Sequence, residues 1–337
     1  MASTTKIMTA TIVLEKGNLN DTIEISKKAA STGGSRLGLK TGDKITVCDL
    51  LYGLMLCSGN DAAVALAEHI GGSIEGFAEL MNKKAIELNL NNTHFVTPHG
   101  LDEDEHYTTA YELALLSNYA MKNQKFAQIV NTKNYTVAIN GYSKNLHNTN
   151  ELLGNLDGVY GIKTGFTNGA NRCLVTACKR DNLDIICVVL GADTKKFRTI
   201  DSIKLIEYVF SNFEIINIEN SVNNSFEEWK KTNINSFNIN KGSSKNIDLK
   251  LDNFKYSTIP IKKEEVKDLK IEIFCNFNLN APISENTSIG SLVVKSNNSI
   301  IYTTNIYTDC NITKKGILEY LNDFYTNYLS ILESVIN

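Results

Sequence analysis

Ser3 and Lys6 stand at i and i+3 in the opening stretch MASTTKIMTA. On a helix this spacing brings a hydroxyl and an amine to one face, the arrangement of a nucleophile and the base that activates it. It equally suits a helix cap followed by a solvated lysine. Two other short motifs carry the same ambiguity. Ser58-Gly59-Asn60 sets a hydroxyl and a carboxamide two residues apart, and Ser-x-Asn recurs at 221–223, 236–238 and 296–298. Lys-Thr-Gly occurs at 163–165 and at 40–42. Taken singly, each fits a cap, a turn or a solvated surface.

The elements around these motifs separate the readings. TTKIMTATIVLEKG has apolar residues near helical spacing and a glycine stop, so Ser3 begins a helix, where exposed N–H groups favour developing negative charge. DLLYGLMLC is expected to be a helix capped by Asp49, and DAAVALAEHIGG a second one. Ser58-Gly59-Asn60 is then a turn between two apolar helices, placed to project short polar groups into a cleft. SIEGFAELMNKKAIELNL reads as a third helix, and TAYELALLSNYAMKN opens with Thr109 and Glu112 in capping-box spacing. YTVAINGYSKNL predicts a hairpin turning at Asn-Gly. VYGIK, NRCLVTACKR and LDIICVVLGA are β-rich, so Lys163-Thr164-Gly165 falls at the end of one strand-like run just before another. A lysine, a hydroxyl and a residue without a side chain there could line a slot for an extended substrate. The other Lys-Thr-Gly reads as a turn and receives no catalytic role.

Composition bounds the rest. With 337 residues, 42% hydrophobic and 21% charged, the chain has an ordinary globular profile and room for two domains. A net charge of −3 gives no basic surface for nucleic acid. No apolar run reaches membrane-spanning length, and no charged-then-apolar leader precedes Ala2. Seven cysteines without a Cys-x-x-Cys pair argue against a zinc site or a disulfide framework. Cys173, Cys178 and Cys187 read as buried thiols. Three regions are expected: 1–213, ending in the helix TIDSIKLIEYVFSNF; a β-rich 214–313; and 314–337. In the last, Ile317, Leu321, Phe324, Tyr328, Leu332 and Val335 form an amphipathic stripe.

STTK, SGN and KTG in this order, with LLYGLMLCSGNDAAVALAEHIGG, NNTHFVTPHGLD and IKTGFTNGANRCLVTACKRD, resemble the D-alanyl-D-alanine carboxypeptidases, low-molecular-weight penicillin-binding proteins that trim peptidoglycan stem peptides. The resemblance covers residues 1 to about 212 most specifically, and more weakly the C-terminal β-rich region and its helix. It implies an α+β catalytic domain with an antiparallel sheet, helices on both faces and an all-helical subdomain, then a small all-β domain and an amphipathic helix. It also implies a leader and a short β segment ahead of the nucleophile's helix. Because the chain begins two residues before Ser3, strands of the central sheet are expected upstream, and without them an exposed sheet edge and a poorly buttressed helix.

The resemblance assigns roles. Ser3 attacks the carbonyl between the last two D-alanines, and Lys6, neutral through burial and the charge of Lys163, is its base. Ser58 relays a proton to the leaving amine, and Asn60 binds the substrate backbone and orients Lys6. Lys163 and Thr164 take the terminal carboxylate, with Arg198 assisting unless it is a surface ion pair. Gly165 lets the substrate strand lie close, and the backbone N–H groups of Ser3 and Phe166 form the oxyanion hole. No cofactor or metal is implied. The partners are a pentapeptide ending in D-Ala-D-Ala, β-lactams as inhibitors, and the outer face of the cytoplasmic membrane through the C-terminal helix.

His99 and Asp102 in TPHGLD invite a Ser-His-Asp reading, but the family uses lysine, and a structural loop is expected. Glu87, with Leu90 and Asn91, matches the Glu-x-x-Leu-Asn pattern of class A β-lactamases. It falls in the third helix rather than in a loop over a site. A wall- or membrane-docking protein with a weakened catalytic domain is the non-enzymatic alternative.

Overall fold

The computed structural model describes residues 1–297 and 299–336, with side chains described through residue 332. Asn298 of the last Ser-x-Asn match, and the Glu333 and Val335 side chains of the C-terminal helix, lie outside what is described. The chain divides into two compact units, Met1–Ser211 and Asn212–Asn337.

The first unit is built around one buried helix. A 3-10 turn, Ala2–Thr5, leads into α1 (Lys6–Lys16), whose residues 6–13 are all buried. A helix hidden all round needs apolar or self-satisfied side chains on every face. Ile7, Met8, Ile12 and Val13 supply the first, and Thr9 and Thr11 donate to the carbonyls of Pro98 and Ile7. The short β1 (Thr22–Glu24), α2 (Lys27–Ser31) and β2 (Lys44–Thr46) follow. Then come α3 (Val47–Leu56), α4 (Asn60–Gly71) and α5 (Ile74–Glu87). The cap of α3 is Thr46, whose hydroxyl accepts from the Asp49 N–H; the expected Asp49 cap lies inside the first turn.

Next come α6 (Ala110–Met121) and α7 (Gln124–Val130), and α1 contacts α3 through α7. Thr109 caps α6 as expected, but Glu112 does not complete the capping box. Its carboxylate reaches across to Asn92 and Thr93. The hairpin β3 (Asn134–Ile139) and β4 (Tyr142–His147) turns at Asn140-Gly141, both at positive φ as a primed turn requires.

An antiparallel sheet runs in the order β5 (Val159–Thr167), β6 (Asn171–Arg180), β7 (Leu183–Ala192). Strand β5 does not stop at Lys163. It continues through Thr167, so Lys163-Thr164-Gly165 lies mid-strand, paired with Val175, Leu174 and Cys173. Cys173, Cys178 and Cys187 are buried on β6 and β7, as expected. Helix α8 (Lys195–Asn212) ends the unit.

The second unit contains a helix that its polar sequence concealed. After β8 (Phe213–Asn217), α9 (Ile218–Asn233) is capped by Asn217 and buries only Ile218, Val222 and Phe226, a narrow stripe in an Asn- and Glu-rich segment. The remainder is β9 (Asn238–Asn240), β10 (Leu249–Leu251), β11 (Thr258–Lys262), β12 (Lys270–Cys275), β13 (Asn278–Asn280), β14 (Ser288–Ser296) and β15 (Ser299–Thr308). Its main sheet has the order β10-β15-β14-β12, and its core gathers Val222, Phe226, Leu292, Val294 and Ile306. Helix α10 (Ile317–Ile336) ends it with an uncovered apolar face: Ile317, Leu321 and Phe324 are 81%, 59% and 72% exposed.

Candidate active site

The three motifs meet. Lys6 is fully buried, and its Nζ lies 2.8 Å from Ser3 Oγ, 2.7 Å from Asn60 Oδ1 and 2.8 Å from the His99 carbonyl oxygen. Asn60 Nδ2 donates to the Gly33 carbonyl, so its oxygen must face the lysine. Two carbonyl-type acceptors therefore take two N–H groups of Lys6. A neutral amine has two such hydrogens and one lone pair, and the lone pair is left for the Ser3 hydroxyl. Burial holds the Lys6 ammonium well below its usual pKa, and the nearby charge of Lys163 pushes the same way.

Ser3 is held by the chain around it. The 3-10 turn that carries it contacts β5. At Gly165 a side chain would press on Ala2 and on the Ser3 backbone nitrogen, each 3.2 Å from an added Cβ, so this glycine permits the close approach. Ser58 adopts a left-handed backbone, φ 62°, and its buried hydroxyl has no hydrogen-bond partner among the described residues. Strain and an unspent polar group at a junction between helices are features that cluster at reaction centres. Lys163 is buried on β5, donates to the Thr164 carbonyl, and is brought down to about 7 by desolvation, with Arg198 adding to the shift.

These groups open into a cavity of about 250 Å3, lined by Ser3, Ser58, Thr164, Gly165, Phe166 and Arg198, and also by Ser35, Thr149, Arg172 and Lys195. A larger cleft of about 890 Å3, beside Leu115, Tyr160 and Asp184, contains none of the motif residues. Chemistry, not volume, distinguishes the smaller one. Arg198 is no surface residue: it is 3% exposed and held by Glu151, while its Nε is buried without a partner among the described residues. Glu151 and Thr149, whose hydroxyl meets that of Thr164 at 2.7 Å, had no motif to reveal them, nor did Ser35.

The His99 ring does not act as a base toward Ser3. Its Nδ1 accepts from the Leu101 N–H, its backbone oxygen holds Lys6, and burial lowers its pKa to about 3. Asp102 is bonded to Thr167 Oγ1 and the Gly169 N–H, so no histidine–carboxylate couple forms between the two. Glu87 is exposed and paired with Lys84 at 2.7 Å. The 40–42 Lys-Thr-Gly lies in a turn, with Gly42 at positive φ.

The geometry can activate a serine with a neutral lysine beside a cationic slot. Comparison with known proteins gives the family. The family described as D-alanyl-D-alanine carboxypeptidase matches residues 1–194, and that described as penicillin-binding protein 5, C-terminal domain, matches 230–314. D-alanyl-D-alanine carboxypeptidase DacF of Bacillus subtilis is 35% identical over 95% of this chain and 81% of its own. D-alanyl-D-alanine carboxypeptidase DacA of Haemophilus influenzae is 31% identical over 96% and 81%. Among solved structures, penicillin binding protein 5 from Haemophilus influenzae superposes with a TM-score of 0.75 at 29% identity, covering 93% of this chain and 90% of that one. The Streptomyces K15 DD-transpeptidase superposes with a TM-score of 0.60 at 38% identity, covering 62% and 87%.

Proposed function

The chain belongs to the D-alanyl-D-alanine carboxypeptidase family of serine hydrolases, and from that premise we propose how its own residues carry the reaction. Ser3 is the nucleophile and Lys6 the base. The observation that carries this is the three-way engagement of Lys6 with Ser3, Asn60 and His99: in its neutral form two N–H groups serve the two carbonyl-type acceptors and the lone pair faces Ser3. The Ser3 Oγ–H proton passes to Lys6 Nζ as Oγ bonds to the carbonyl carbon between the two D-alanines. The oxyanion is received by the backbone N–H groups of Ser3 and Phe166, each worth about 3 kcal/mol at a site of this type. As the C–N bond breaks, the unpartnered Ser58 hydroxyl hands a proton to the departing amine and is resupplied by the protonated Lys6. Free D-alanine leaves. Water then attacks the Ser3 ester, giving a proton to Lys6, and as the acyl C–Oγ bond breaks Lys6 returns that proton to Ser3 Oγ.

Substrate orientation follows from charge. Lys163, Thr164 and Arg198 take the terminal carboxylate, and Gly165 admits the peptide backbone alongside β5. The family implies peptidoglycan stem peptides as substrate and β-lactams as acylating inhibitors. Intact mass after incubation with benzylpenicillin tests the assignment. One penicilloyl group should add to the protein and be absent from Ser3→Ala, whose release of D-alanine falls by at least about 10^4-fold. An adduct that survives in Ser3→Ala would remove Ser3 from its role.

We further propose that the enzyme works at the outer face of the cytoplasmic membrane, with α10 lying on that surface. Ile317, Leu321, Phe324, Tyr325 and Tyr328 are all exposed along one helix, and an uncovered apolar face of that length is the signature of a surface-seeking helix. Among the described residues no helix is long and apolar enough to cross a membrane. Glu319 and Asp323 on the helix argue that apolar contact, not attraction to anionic lipid, drives binding. Flotation with zwitterionic vesicles should carry the wild type upward and leave Leu321→Asn/Phe324→Asn behind. Equal flotation of both would discard the helix as the anchor.

A further inference from the structure

The cavity beside Ser3 holds more cationic side chains than sequence motifs account for, and they are not equivalent. Arg198 is buried and its Nη2 is bound to Glu151. Lys195, 63% exposed, lies 3.6 Å from the same carboxylate. Arg172 also lines this cavity, yet its side chain has no hydrogen bond and no ion pair among the described residues. Its guanidinium carbon instead sits 3.6 Å from the centroid of the Phe166 ring. Register explains the contact. Arg172 on β6 stands directly opposite Phe166 on β5, and cross-strand neighbours share one face of a sheet.

Stacking suits a guanidinium that must still bind something. The ring takes the flat face of the group and leaves its in-plane N–H donors available, so the fork is oriented before a ligand arrives. Phe166 is 46% exposed, which places this pair at the mouth rather than in the core. Thr164 projects from the same face of β5 as Phe166, two residues along the strand. A carboxylate seated at Thr164 is therefore within the neighbourhood of the one guanidinium of this cavity, among the described residues, that no carboxylate already occupies.

We propose that Arg172 is a specificity-determining residue for this enzyme: it binds the C-terminal carboxylate of the peptide from the outer side of the slot, opposite Arg198. The inference rests on the reading that the Ser3 cavity takes a D-Ala-D-Ala terminus. Arg172 would then act on substrate capture and orientation and not on proton transfer, since a guanidinium keeps its protons throughout the reaction.

The test compares Nα,Nε-diacetyl-Lys-D-Ala-D-Ala with the same peptide carrying a C-terminal amide, on wild type, Arg172→Gln and Arg172→Lys. Arg172→Gln should lower kcat/KM for the carboxylate substrate about tenfold, the scale of a lost charge-assisted hydrogen bond, with most of the loss in KM. The amide substrate should be unaffected. Arg172→Lys should recover part of the loss, because it keeps the charge and gives up the fork. Equal losses on both substrates, or no loss on either, would overturn the role of Arg172. Thermal unfolding of each variant shows whether a shared loss comes from a damaged fold. If the wild type itself forms no Ser3 adduct with benzylpenicillin, the underlying reading falls and this inference with it, whereas an adduct with no carboxylate-specific loss sinks the inference alone.

Discussion

Two lysines of the first unit stand apart from those of the second. In Met1–Ser211, Lys6 and Lys163 are 0% and 1% exposed and, among the described residues, neither meets a carboxylate, unlike Lys84 of the same unit, which pairs with Glu15 and Glu87. In Asn212–Asn337, Lys230, Lys250 and Lys295 stay partly in water and each reaches an acid, Asp248 at 2.5 Å, Asp309 at 2.6 Å and Glu272 at 2.5 Å. An ammonium on the surface costs little and contributes little; one buried without a counter-ion is pushed toward losing its proton. The first unit thus accepts an expense that the second avoids, and that expense locates the chemistry.

The largest effect should come from the lysine with the most elaborate surroundings. Lys6→Met removes the proposed base, and stopped-flow acylation by benzylpenicillin should slow by about 10^3-fold, within the usual range for a lost general base. The fold should persist. Burying a thioether avoids the cost of an ammonium and offsets the two acceptors, Asn60 Oδ1 and the His99 carbonyl, left without a donor. A variant that acylates at the wild-type rate would end the comparison.

An intermediate effect concerns pH. Lys163 titrates near 7 in the folded chain and near 10.4 when unfolded. Between those values the unfolded chain binds a proton that the folded chain does not, so this residue makes stability rise as pH increases from 7 toward 10. Lys163→Met should lack that rise, measured as the difference from wild type in urea midpoints across the range. Carboxylate binding goes the other way. The folded lysine loses its charge above pH 7, so KM for the peptide should climb there, and Lys163→Arg should hold KM flat. A wild-type KM that is level from pH 6 to 9 would show that Lys163 does not pair with the carboxylate.

The smallest effect belongs to the second unit. Lys250→Gln removes a lysine that touches both Glu285 and Asp309 at the surface, and the thermal midpoint should stay within experimental error. A clear loss of stability there would mean that surface pairs of this unit matter more than exposed ion pairs ordinarily do.

Much of this was legible. The order of Ser3, Ser58 and Lys163 in their motifs, the helical spacing after Ser3 and the Asn-Gly turn are local patterns with local physical causes. Context also separated the two Lys-Thr-Gly copies, because only one lies among strand-forming residues. Helix α9 was missed because its buried residues, Ile218, Val222 and Phe226, are spread thinly through a segment whose polar residues resemble a loop. The Thr46 cap of α3 was misplaced by three residues because Asp49 is itself a good capping residue.

The sequence by itself determined the neighbourhood of Ser3, the family and the reaction, since these depend on residue types at short separations. Only the tertiary structure decided what those residues touch. His99 offers Lys6 a carbonyl from 93 positions away and keeps its ring out of the chemistry. Asp102 fastens a loop, Glu151 holds Arg198, and Arg172 stacks on Phe166 without an acid among the described residues. Each of these is a pairing between distant segments, chosen by where buried donors and acceptors could be satisfied, and no short window of sequence contains both partners.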